Sequence, residues 1–271
     1  MATLRKYALA PARVVEHYRL MRTNQTMEYN LRMRSYIPTY NITITEALDT
    51  LGRCSDSSDP DVEGDNLMHA YQTAERMRAA GEPTWMQLTG LIHDLGKIQM
   101  LRGRCDDGQS DQSQWGITGD TWAVGCAIPD CIVYPEFNRF NADMGHPVYS
   151  TEKGAYEQSC GIRNMMFAWG HDEYMYRVLL RKRSQMIADG ASVVLPTEAL
   201  DCVRFHSAYP WHTGGAYKWA ESKGDKELKE LILRFNAYDL YSKDDKPCDI
   251  ERLRPYYEAL IATFLPGQVL F

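Results

Sequence analysis

At 271 residues, with 44% hydrophobic and 24% charged side chains, 19 Gly and 12 Pro, the chain has the balance of an ordinary globular protein able to bury an interior site; collagen-like and largely disordered chains are excluded. Its 30 Lys plus Arg are outnumbered by 36 Asp plus Glu, a formal charge of -6, which argues against a dedicated binder of nucleic acid or anionic membrane and leaves small neutral or cationic substrates open. Seven scattered cysteines without a CxxC pair, an N-terminus without a leader-like apolar stretch and the lack of any bilayer-length apolar run lead us to expect a soluble cytoplasmic protein with no membrane or nucleic-acid partner.

Pro11 is placed to open a first helix, because Val14, Val15, Tyr18 and Met21 recur at three- and four-residue spacing before Pro38. Residues 52–66 read as a polar loop. Asp65 or Asn66 then suits the cap of a second helix, with Leu67, Ala70, Tyr71, Ala74 and Met77 on one face and Gly81 as its stop. Pro83 is placed to start a third helix, which carries His93-Asp94 near its end and is expected to stop at Gly96. The polar stretch 103–114 reads as a surface loop, and 115–150 as irregular or short-strand structure. Helical patterns return over 160–189, 197–207, 225–242 and 253–264, with Pro196 and Pro255 as entrances and Pro210 and Pro266 beyond ends. The fold class is therefore expected to be all-α, mainly helical, in one domain.

His93-Asp94 is the first chemical candidate, since an adjacent imidazole and carboxylate at a helix end can both reach a metal. His69 lies on the preceding helix of an antiparallel pair, His171 opens a strongly apolar helix, and His206 follows another. Asp239 interrupts an apolar run, where an unpartnered carboxylate would cost several kcal/mol. Four histidines and two aspartates suffice for two divalent ions if one carboxylate bridges; the donors admit Fe, Mn, Zn, Co or Ni and disfavour Ca. Lys97, three residues after Asp94, can aim an ammonium at a metal-bound oxygen or stand solvated after the helix. His17, read as lying on the polar side of its helix, and the loop residues His146 and His212 are weaker candidates. No GxGxxG, GxxxxGK or GxSxG pattern supports a nucleotide fold or covalent catalysis.

With these residues in place, the chain resembles the myo-inositol oxygenase family, di-iron members of the helical HD-domain superfamily. The resemblance runs through Leu4-Arg5-Lys6-Tyr7, Ser58-Asp59-Pro60-Asp61-Val62, His69-Ala70-Tyr71-Gln72-Thr73-Ala74-Glu75 and Leu91-Ile92-His93-Asp94-Leu95-Gly96-Lys97. It continues in Gly119-Asp120-Thr121, Trp169-Gly170-His171-Asp172-Glu173-Tyr174, His206-Ser207-Ala208-Tyr209-Pro210-Trp211-His212, Asp239-Leu240-Tyr241 and Leu253-Arg254-Pro255-Tyr256-Tyr257.

The resemblance implies an HD-domain-like bundle spanning 1–271, with residues 1–50 as an N-terminal helical extension, expected to be a monomer. It implies two irons, one held by His69, His93, Asp94 and Asp239 and the other by the bridging Asp94 with His171 and His206, working as a mixed-valent Fe(II)/Fe(III) pair. It further implies a cyclitol shell of Arg5, Asp56, Ser57, Ser58, Lys97, Gly119, Asp120, His206 and Ser207, with Lys97 and Asp94 catalytic. The implied reaction is O2-dependent ring cleavage of myo-inositol to D-glucuronate. Residues 102–114 and 141–147 depart from the family's usual pattern, which leaves room for a different polyol. Three alternatives share these ligands: a two-metal phosphoester hydrolase, a di-iron oxygenase cleaving an organophosphonate, and a non-catalytic protein with a structural metal.

Overall fold

A computed structural model describes residues 10–36, 38–58, 65–242 and 247–271. It is mainly helical, as expected. Its helices are α1 (Ala12–Asn24), α2 (Met27–Arg34), α3 (Ile44–Leu51), α4 (Asn66–Ala79), α5 (Thr84–Ile92), α6 (His171–Ala188), α7 (Thr197–Phe205), the short α8 (Tyr209–His212), α9 (Asp225–Ser242) and α10 (Ile250–Phe264). Strand β1 (Asn41–Thr43) pairs antiparallel with β2 (Gln268–Leu270), Ile42 opposite Val269, joining the segment before α3 to the far end of the chain.

Local chemistry explains most boundaries. Pro11, Pro83 and Pro196 stand just before α1, α5 and α7, where a missing N–H costs nothing. Asp65 caps α4 by accepting from the Leu67 and Met68 amides, and Thr43 with Glu46 closes a reciprocal capping box on α3. The expected first helix is two: Gln25 leaves the helical path, its side-chain amide donating to Trp169 O at 2.6 Å, and Thr26 restarts the chain as the cap of α2. Helix α10 begins earlier than expected, at Ile250 under an Asp249 cap, so Pro255 lies inside the helix instead of at its entrance. Pro210 lies in the first turn of α8 and not beyond an end. Neither α3 nor α8 is anticipated by the sequence reading.

Gly96 does not cap α5, which gives way at His93 to a turn and a 3-10 segment over Leu95–Leu101. Its role is contact: a Cβ there would stand 2.0 Å from His171 O, so only glycine lets this segment lie against the start of α6. Between Arg102 and Gly170 the described chain runs through turns and short 3-10 pieces, in keeping with the irregular reading of 115–150. The 103–114 stretch is less superficial than its polarity implies, for Gln109 and Gln114 are buried.

Two apolar clusters hold these parts together. The larger contains Val14, Tyr18, Met21, Tyr29 and Met33 of α1 and α2 together with Leu91, Ile92 and Leu95; the smaller gathers Phe167, Phe205, Trp211, Ile232 and Phe235. His93 follows directly on Ile92, and its ring meets Phe235 edge-on at 5.8 Å. The histidines thus lie where the two clusters meet.

Candidate metal centre and polyol shell

All six predicted ligands converge and all are buried. Helix α4 carries His69, the end of α5 delivers His93 and Asp94, α6 begins with His171, His206 follows α7, and α9 contributes Asp239. Ligand atoms of His69, His93 and Asp239, and likewise of His93, Asp94 and His206, lie within 4.8 Å of one another.

The Asp94 carboxylate divides its oxygens between two halves of the site. Oδ1 stands 3.2 Å from His171 Nε2 and 3.7 Å from His206 Nε2, whereas Oδ2 stands 3.6 Å from His93 Nε2 and 4.0 Å from His69 Nε2. Asp239 Oδ1 completes the second half, 2.8 Å from His69 Nε2 and 3.4 Å from His93 Nε2.

The imidazoles are oriented from behind. Nδ1 of His93 donates to Gly90 O, that of His171 to Ile117 O and that of His206 to Val203 O, at 2.7–2.8 Å. A carbonyl can only accept, so each Nδ1 holds a proton and Nε2 is the nitrogen left facing inward, the one available to a metal. His206 is held further through its own carbonyl, which accepts from Asn236 Nδ2 and His212 Nε2.

These constraints test whether a cation fits. His171 Nε2 and His206 Nε2 stand 3.1 Å apart, two lone pairs facing each other unless a cation or a proton lies between. Burial opposes charge on His93, but Asp94 and Asp239 outweigh it and push the imidazole up to about 9. Burial likewise opposes charge on Asp94 and Asp239, yet Lys97 and His93 hold the first, and His69 and His93 the second, well below the usual carboxylate range. A field that draws protons to buried imidazoles and keeps carboxylates ionised is one that accommodates positive ions.

Lys97, buried and not solvated, sits one 3-10 turn beyond Asp94, its amide bonded to Asp94 O. Its ammonium contacts Asp94 Oδ2 at 2.9 Å, Asp56 Oδ2 at 3.0 Å and Asn66 Oδ1 at 3.3 Å. Burial works against that charge, but the two carboxylates outweigh it and raise its pKa. Asp56 Oδ1 in turn accepts from the Ser58 amide and hydroxyl, and the Ser57 amide donates to Gln114 Oε1. The Thr121 amide donates to Ser207 O, next to His206. Gly119, at φ 110°, takes a conformation suited to glycine, and a Cβ there would meet Met21 Sδ at 2.9 Å. Arg5 lies outside the described residues.

Several supporting residues escaped the sequence reading. Arg22 donates to both Asp120 oxygens and lies 4.2 Å from the Trp122 ring centroid. Asn66 ties Lys97 to the Cys54 carbonyl, and Gln114 reaches Ser55 O as well as Ser57. His17 is not on a polar face. It is buried with Val14, Tyr18 and Met21, a placement that the 14, 17, 18, 21 spacing already contains. Arg22, four residues after Tyr18, is a charge on the same stripe and a legible sign of a buried partner.

A helical bundle that turns histidine and aspartate side chains from five segments onto two buried triads, each able to hold a metal ion, defines a protein of the HD-domain kind. Sequence comparison narrows the class. The family model described as Myo-inositol oxygenase matches residues 11–271. The chain is 39% identical to the inositol oxygenase of Rattus norvegicus and 40% identical to that of Mus musculus, in each case over 98% of this chain and 90% of the relative. It is 35% identical to that of Dictyostelium discoideum, over 98% of this chain and 88% of the relative. The chain belongs to the myo-inositol oxygenase family.

Proposed function

We infer that the protein is an inositol oxygenase, cleaving the ring of myo-inositol with O2 to give D-glucuronate. Family membership across the chain supports the reaction, and the division of the Asp94 oxygens between two histidine groups is the observation that carries a dinuclear reading. His69, His93, Asp94 and Asp239 would hold one iron, and Asp94, His171 and His206 the other. Two irons held there would, as an Fe(II)/Fe(III) pair, supply O2 activation and the electron transfer of the oxidation.

The protein's own groups bind and orient. Asp56, Ser57, Ser58, Gly119, Asp120, His206 and Ser207, with Arg5 and Lys97, offer the alternating donors and acceptors that a ring of hydroxyls needs, since each hydroxyl buried without a partner costs about 1–3 kcal/mol. Lys97 holds a fixed positive charge against Asp94 and Asp56, where an alkoxide on the substrate would be stabilised. Arg22 fixes the orientation of Asp120 by donating to both of its carboxylate oxygens.

The test is to load the protein with iron without air, oxidise it partly, and admit O2 with myo-inositol. Oxygen uptake matched by D-glucuronate is expected. Release of phosphate from a phosphoester without O2 uptake would replace this reading with the hydrolase.

A further inference from the structure

Resting on Ser57 being a cyclitol contact, we propose that His17 is a positioning residue for substrate: it ties Ser57 to the Thr118–Gly119 backbone and fixes the Ser57 hydroxyl as a hydrogen-bond acceptor toward the ring. His17 Nε2 lies 3.0 Å from Thr118 O, and Nδ1 lies 2.9 Å from Ser57 Oγ. Since a carbonyl cannot donate, Nε2 must carry the proton. Burial pushes the imidazole pKa down, so the ring is neutral and Nδ1 is left as an acceptor. The Ser57 hydroxyl therefore spends its proton on Nδ1, and only its oxygen lone pairs remain for a ligand.

The rest of Ser57 is pinned as well. Its amide donates to Gln114 Oε1 at 2.9 Å, and its carbonyl accepts from Arg13 at 3.0 Å. Amide, carbonyl and hydroxyl are thus all engaged, which holds the residue in one orientation. His17 also borders the other arm of the shell, for a Cβ on Gly119 would lie 3.5 Å from His17 Nε2. A ligand with a hydroxyl to donate at this point is accepted, whereas a ring bearing a carbonyl or ether oxygen there meets lone pairs and is disfavoured. His17 thus acts on specificity through Ser57, at a distance from the metal ligands.

Two substitutions separate this role from a structural one. His17→Asn keeps an oxygen where Nδ1 was and preserves the acceptor for Ser57; His17→Gln reaches Thr118 O instead and removes it. With iron-loaded protein, KM for myo-inositol is expected to rise about fivefold in His17→Gln, with kcat within about twofold, and to stay near the original value in His17→Asn. Anaerobic calorimetric titration of myo-inositol should show the same order of binding. In a Ser57→Ala background the further effect of His17→Gln on KM should vanish. Equal KM changes in both variants, or a kcat loss accompanied by loss of iron, would overturn the positioning role while leaving the activity in place. No cyclitol turnover by the unsubstituted protein would overturn the functional reading and this inference with it.

Discussion

Asp94 and Lys97 differ in kind although their side chains touch. Asp94 faces both halves of the histidine cluster, so Asp94→Ala is expected to abolish binding of both irons. The Lys97 ammonium contacts the Asp56 and Asp94 carboxylates and the Asn66 amide oxygen, so Lys97→Ala should keep its iron and lose about a hundredfold in turnover. Metal analysis showing the reverse pattern would count against both roles. His17 adds a pH dependence of another sort. Burial depresses its pKa below the ordinary 6.5, and Arg22 adds to this, while Asp56, the Thr118 carbonyl and Asp120 pull the other way. The unfolded chain therefore takes up this proton first, and the contribution present above 6.5 is lost as pH falls below it. Denaturant midpoints of the unsubstituted protein should drop more steeply between about pH 7 and 5.5 than those of His17→Gln, and equal slopes would rule the effect out.

At the scale of elements, the site depends on close approach as much as on ligand identity. The Gly96 segment lies against the first residue of α6, and a Cβ there would strike backbone, which cannot rotate away. Gly96→Ala is expected to cost about 1–3 kcal/mol and to displace His171, lowering the iron content before the fold is lost; full iron with an unchanged denaturant midpoint would refute this. The sequence exposes such features unevenly. Asp65 and Pro83 announce their helices because capping is local chemistry, and the six ligands stand out because four imidazoles and two carboxylates among apolar residues need partners. The break at Gln25 is not announced, since a tertiary partner decides it, Trp169 O taking the Gln25 amide; the inner position of Pro255 follows from a local cap, Asp249, which starts α10 ahead of the more conspicuous proline. Gln114 reads as loop polarity and Asn66 as a possible helix cap, because their role is to satisfy backbone groups of residues 54–57, distant in sequence.

For the molecule as a whole, the centre joins segments that otherwise meet mainly through side-chain packing. His69, His93, His171, His206 and Asp239 belong to or adjoin five different helices, so metal held by them links all five. Ligands that bind the folded state alone stabilise it by mass action, about 2.7 kcal/mol at a hundredfold excess over Kd. For a chain of this size, anaerobic Fe(II) should raise Tm by about 5–10 °C, and a chelator should reverse the gain. No shift despite bound iron would show that the site adds nothing to the bundle.

The Asp94 carboxylate is one rigid, planar group reaching in two directions, Oδ1 toward His171 and His206 and Oδ2 toward His93 and His69. A substitution that tilts it to shorten the reach on one side lengthens the reach on the other, so the two halves cannot be tuned apart through this residue. Any retuning of a single half falls to the histidines and Asp239.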